Sequence, residues 1–237
     1  VLSHPKLDVI MTHGEFVDEA PVLRKMFGKP VVSVISRDAA HHAARKLGYL
    51  GLGESESNTD RFRRFHYRCL MNKVQGVGDY GKMMGGQEWK RTGDGVLAAE
   101  VHPESKSVKT FAEQARILSE FFKTITDYEA LISQPDYVLK APCSYYCLKS
   151  NKEVLIYLDG GKMSGEKVNS GQVRLLLHRR DGALLQSPNK TIILHPATGR
   201  KKEAIVSVEA TTEDPDFHVL TIPTPGFESD LMLYLKA

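Results

Sequence analysis

Between Asp60 and Trp89 the chain changes character twice, and that stretch restricts the available folds more than any other. Phe62, Phe65, Cys69 and Leu70 recur at helical spacing, with Arg61, Arg63, Arg64 and Arg68 between them. The spacing predicts an amphipathic helix with one apolar stripe and a basic, solvated outer face. The pattern stops at Gln75-Gly76. Val74, Val77 and Tyr80 then stand among three glycines, too glycine-rich for a helix and apolar enough for a short buried strand. A polar, glycine-rich loop carrying the only tryptophan, Trp89, follows. Helix, strand and loop make one step of a repeating α/β protein, in which the loops after the strands carry the chemistry.

The preceding residues keep that rhythm. Leu7–Met11 and Val31–Ile35 are continuous apolar runs of the kind found in strands buried on both faces. Asp18–Phe27 and Ala39–Leu47 are predicted helical, and Val108–Thr124 closes the series with a helix carrying Phe111, Ala115, Leu118, Phe121 and Phe122. Strands alternating with helices indicate parallel βα units. After Asp136 the composition changes. Tyr145–Leu148, Val154–Leu158, Val173–Leu177, Thr191–Leu194, Ala204–Val208, His218–Ile222 and Leu231–Leu235 are short strand-like runs separated by turn signals. That spacing predicts a β-sandwich.

Composition removes several function classes. At 237 residues with net charge +3, the chain can bury a real core and needs no polyanionic partner. Cys69, Cys143 and Cys147 have no metal or disulfide spacing; the last two, four apart in a strand, stand roughly 13 Å from each other. No apolar run approaches the ~20 residues that span a bilayer, and no signal peptide is evident. The start at Val1 reads as that of a processed product or fragment. GVGDYG fits a dinucleotide fingerprint by letters only, since no helix follows its glycines. The Arg61–Arg68 run belongs to a helix with a buried stripe, so no nucleic-acid surface is expected. His41 and His42 are adjacent and cannot share one metal as an i, i+4 pair would. Neither a metal nor a cofactor is expected.

The order of arginine-rich helix, QGVGDYG and a tryptophan beyond resembles the last αβ step of the apiosidase-like glycoside hydrolases. Those are (β/α)8 barrels followed by a small β-sandwich of the collagen-binding type. EVLIYLDGG resembles the sandwich's Gly-Gly hairpin. HPATGR resembles its Asp-Pro-x-Thr-Gly turn, with His195 in place of the acid, and DLMLYLKA its closing strand, with Leu231 in place of tryptophan. The resemblance matches only the family's C-terminal half, beginning at its sixth barrel strand. It implies an α/β plus all-β chain: a partial (β/α)8 (TIM) barrel over residues 1–135, then an antiparallel β-sandwich over 136–237. It further implies O-glycosidase chemistry, a carbohydrate partner and a secreted or periplasmic location.

A retaining glycosidase needs two carboxyl groups about 5–5.5 Å apart. The resemblance puts the proton donor on a fourth strand outside this sequence, and the nucleophile after the seventh, matched here by Val31–Ile35. Ile35 or Ser36 stands where the family has glutamate. Asp38 is the nearest acid, displaced by roughly 7–10 Å along an extended chain. Asp38 and Glu15 are the candidate catalytic acids, with helix capping or solvation the competing role for Asp38. His13 and Asp79 stand at strand ends, and Tyr80 and Trp89 offer flat faces for sugar rings. The competing roles are core packing for Tyr80 and pinning of a loop for Trp89. Two readings of function follow: a glycoside hydrolase-related protein acting on or binding polysaccharide with a second barrel half, or a non-catalytic carbohydrate-binding or assembly protein. Three parallel strands with open edges further predict a second polypeptide, either that barrel half or another copy of this chain.

Overall fold

The computed structural model describes residues 6–35, 55–79, 87–91, 97–101, 106–160, 167–186, 191–211 and 214–237. The helix expected over Ala39–Leu47 lies outside them. The described residues combine helices with mostly antiparallel sheets. Two compact units are present, Val1–Arg116 and Ile117–Ala237.

In the first unit, β1 (Ile10–His13), β2 (Val31–Ile35) and β3 (Gly76–Asp79) form a parallel sheet with β2 in the middle. The first strand starts later than its apolar run because the Pro30 carbonyl accepts from Ile10 N at 2.9 Å, which opens the ladder there. Leu7 packs instead against the cluster of Ile10, Ala20 and Val31. The third strand is also shorter than expected. Val74 packs with Val17, Phe65 and Cys69. Gln75 donates its N–H to the Val31 carbonyl at 3.0 Å and accepts from Val31 N at 2.9 Å through its side chain, so pairing by strand resumes only at Gly76.

The crossover helix Ala20–Phe27 has Pro21 in its first turn and ends at Gly28, whose φ of 63° suits a residue without a Cβ. The second helix, Ser55–Met71, is buried along Phe65, Tyr67, Cys69, Leu70 and Met71. Arg63 corrects the expectation of a uniformly solvated basic face: it is 3% exposed and paired with Asp60 at 2.7 Å. A desolvated arginine requires such a partner. Trp89, expected in a loop, lies in a strand. Gln87–Arg91 (β4) pairs antiparallel with Leu97–Val101 (β5). The third helix spans Lys106–Phe122.

The second unit is built from short strands. In chain order they are β6 (Ile132–Ser133), β7 (Val138–Lys140), β8 (Ser144–Lys149), β9 (Glu153–Asp159), β10 (Lys167–Val168) and β11 (Gly171–His178). Then follow β12 (Thr191–His195), β13 (Arg200–Ala204), β14 (Ser207–Ala210), β15 (Phe217–Thr224), β16 (Phe227–Glu228) and β17 (Asp230–Lys236). One antiparallel sheet runs β13-β12-β17-β9-β8-β6 and a second β14-β15-β11-β7. Ile156, Leu158, Leu231 and Leu233 of the first share one core with Val173, Leu175, Leu220 and Ile222 of the second, which makes the pair a sandwich. The run Ala204–Val208, expected as one strand, is two. Ala204 ends β13, Ser207 begins β14, and the chain changes sheet at Ile205, which is 88% exposed.

The two central strands of the six-stranded sheet are buried on both faces, because residues after Ile117 cover the outer one. Phe121 meets Tyr234 edge to face at 6.0 Å. The Glu153 carboxylate, 1% exposed, accepts from Thr126 N at 2.8 Å, Asp127 N at 3.2 Å and the Tyr234 hydroxyl, whose oxygen also lies 3.0 Å from Thr124 O. Burial pushes the Glu153 pKa up, but those donors outweigh it and hold it below the ordinary value of 4.5. A depressed folded-state pKa contributes stability that is present above 4.5 and is lost as pH falls through the folded value. Glu153→Gln is therefore expected to destabilise the chain by about 1–3 kcal/mol at neutral pH and to flatten the acid limb of its stability. Urea melts from pH 7 downward check this. An unchanged acid limb would show that the latch contributes nothing.

Candidate functional site

Because β1, β2 and β3 run parallel, their carboxyl ends reach one edge of the sheet. His13 ends β1 beside Val34, and Asp79 ends β3 beside Ile35. Glu15 lies in the 3-10 segment Gly14–Glu19 that leaves β1 at that edge. The fold thus brings His13, Glu15 and Asp79 to one end of one sheet. Trp89 is placed elsewhere by strand pairing, opposite Ala99 in the β4–β5 hairpin, which is not part of the parallel sheet. Asp38 and Tyr80 lie outside the described residues.

Register separates what the edge brings together. His13 shares a row with Val34 and Gly78, whereas Asp79 shares one with Ile35. They stand two strand spacings apart, roughly 10 Å. The Ile10–Val31 row lies against Ala20, Leu23 and Phe27, so the crossover helix covers that face. On the opposite face Met11 is 70% exposed.

The segment carrying Glu15 is anchored by a contact the sequence did not disclose. Asp18 accepts from the Arg68 guanidinium and, through its other oxygen, from Asn72 Nδ2 at 2.9 Å. Arg68 and Asn72 are four apart at the end of one helix, a spacing that puts both on the same side. Arg24 adds a second tie, donating to the Lys73 carbonyl at 2.6 Å. Together these fix the exit of β1 against the entry of β3. A further pair was also missed. Thr12 and Ser33 face each other across β1 and β2, both buried, and neither hydroxyl has a hydrogen-bond partner among the described residues.

The cysteines do not supply a nucleophile. Burial pushes the thiols of Cys69 and Cys147 up to about 12 and that of Cys143 to about 11, so thiolate is scarce at neutral pH. Among the described residues no group of three or more His, Cys, Asp or Glu could hold a metal ion. No described helix is long and apolar enough to cross a membrane.

These features define a two-unit protein, a parallel α/β unit followed by an antiparallel sandwich unit, with acids and a histidine at the carboxyl edge of the former. No protein-family model matches the chain, and no curated protein matches it in sequence. Among solved structures it is similar to a glycoside hydrolase family 5 protein from Bacteroides vulgatus, with TM-score 0.48 and 12% identity over 98% of this chain and 51% of that one. It is also similar to a Paenibacillus cycloisomaltooligosaccharide glucanotransferase complexed with cycloisomaltoheptaose, with TM-score 0.43 and 8% identity over 76% of this chain and 27% of that one. The chain therefore spans about half the length of the first and about a quarter of the second. Neither likeness identifies its family.

Proposed function

We propose that this chain is a glycoside hydrolase-related protein that acts on or binds polysaccharide. Its parallel unit would be part of an apiosidase-like (β/α)8 barrel. The observation that carries the reading is the shared edge: His13, Glu15 and Asp79 gather where the strands of such barrels present their working residues. The motifs around Asp60–Trp89 and in the sandwich add support through their resemblance to that family.

Binding without turnover is the form of this reading that the sequence favours. Double displacement needs two carboxyl groups on one side of a sugar, about 5–5.5 Å apart. Ile35 or Ser36 stands where the resembled family has its nucleophile glutamate. Asp38 and Glu15 remain the proposed acids, with His13, Asp79, Tyr80 and Trp89 as proposed sugar contacts. The chain is expected to release no nitrophenol from aryl glycosides above background, since a lone general acid supplies only ~10²–10⁴-fold. It should still bind oligosaccharides in a calorimetric titration. A rate that disappears in Asp38→Asn would establish Asp38 as nucleophile and overturn the non-catalytic form. Absence of both hydrolysis and binding would overturn the proposal itself.

A further inference from the structure

At one end of the four-stranded sheet lies a cleft of ≈ 570 Å³, within the range of small-molecule sites. Its floor is the start of β11, where Gly171 pairs with Thr224 and Gln172 with Pro223 of β15. Pro142 and Pro223 give it apolar walls, and Lys140, Ser170 and Gln172 supply polar groups. Among the described residues no carboxylate lines it.

Thr224 is the unusual member. It is 3% exposed, and its hydroxyl has no hydrogen-bond partner among the described residues. Buried hydroxyls are nearly always bonded, and leaving one unbonded destabilises a fold. This one lies behind Gly171, which is itself exposed. A Cβ on Gly171 would stand 3.8 Å from Thr224 Oγ1 and 3.4 Å from Pro142 Cβ. With no side chain at Gly171, there is room for a further atom beside that hydroxyl. Local rules are broken in this way where a group serves a ligand.

We infer that this cleft is a saccharide-binding subsite carried wholly by the sandwich, with Thr224 Oγ1 as the hydrogen-bond partner of a sugar hydroxyl. The inference rests on the carbohydrate reading above. A pyranose ring has apolar C–H faces, which suit the two proline walls, and a rim of hydroxyls. Gln172 can donate and accept, Ser170 can do both, and Lys140 can donate to a hydroxyl or a uronate. These described groups suit neutral and acidic sugars alike.

Amide NMR of the full chain, titrated separately with cellotriose, xylotriose and trigalacturonate, tests this. At least one probe is expected to shift the amides of Gly171 and Gln172. Thr224→Val is expected to weaken that probe about tenfold, the value of one hydrogen bond, while raising the melting temperature, since it removes an unbonded buried hydroxyl. Gly171→Ala introduces only ordinary van der Waals contacts and should abolish binding with the fold intact. A lower melting temperature in Thr224→Val would show the hydroxyl to be bonded within the fold and overturn the inference, as would unchanged affinity in both variants. Shifts confined to His13 and Asp79 would overturn the subsite and leave the proposed function standing. No shift with any probe would overturn both.

Discussion

Replacing Asp181 with alanine is expected to destabilise the chain by about 3–5 kcal/mol, the loss seen when one member of a buried ion pair is removed. Asp181 Oδ1 stands 2.8 Å from Lys149 Nζ, with the two side chains 4% and 7% exposed. The ammonium also lies 4.6 Å from the centre of the Tyr137 ring, too weak an attraction to replace a carboxylate once water is excluded. The second carboxylate oxygen is occupied too, accepting from His178 N at 3.1 Å, and His178 in turn caps Arg180 N at 3.0 Å. One side chain therefore neutralises a buried lysine and closes the turn that follows β11. The two roles are separable. Lys149→Met together with Asp181→Leu removes both charges, so its cost should fall to about 1 kcal/mol, that of the lost cap. Urea melts of the single and double variants, read as a double-mutant cycle, check this. A double variant as unstable as Asp181→Ala would show the cap, and not the charge, to dominate.

The sandwich was largely legible in the sequence because its strands alternate as one-sided strands must. β11 reads exposed, half-buried, then buried at every second residue from Val173 to Leu177. β9 and β17 were legible for another reason: continuous apolar runs mark strands covered on both sides, here by the residues after Ile117. Other strands, β4 and β13 among them, had no such signal. β4 is Gln-Glu-Trp-Lys-Arg, and β13 is Arg-Lys-Lys-Glu-Ala with its first four residues exposed. An edge strand is stabilised by its ladder and guarded by charge, so its letters resemble those of a loop. The candidate site was legible only as an edge. That strand ends carry His13, Glu15 and Asp79 follows from chain order, whereas the row each occupies depends on register, and a shift of one residue reverses every face. Nothing local in Asp18 announced its bond to Arg68, fifty positions away.

The uncovered side of the parallel sheet sets the second large effect. Parallel strands are ordinarily covered on both faces, and among the described residues only the Ile10–Val31 face carries a helix. On the other side Met11 is 70% exposed, and Val9 before it is 41% exposed. The sheet's two outer strands pair only with β2 among the described residues, and open edges of that kind recruit other strands. Apolar patches beyond a few hundred Å² are uncommon on monomers. The purified chain is therefore expected to associate with a copy of itself, burying more than ~2,000 Å² as obligate partners do. Sedimentation velocity should give a mass of at least twice 26.5 kDa. Met11→Lys, whose side chain is already largely exposed in the single chain, should shift that species toward 26.5 kDa without unfolding it. A soluble, folded 26.5 kDa species from the unaltered sequence would mean that the three strands complete a smaller fold and that the barrel reading is wrong.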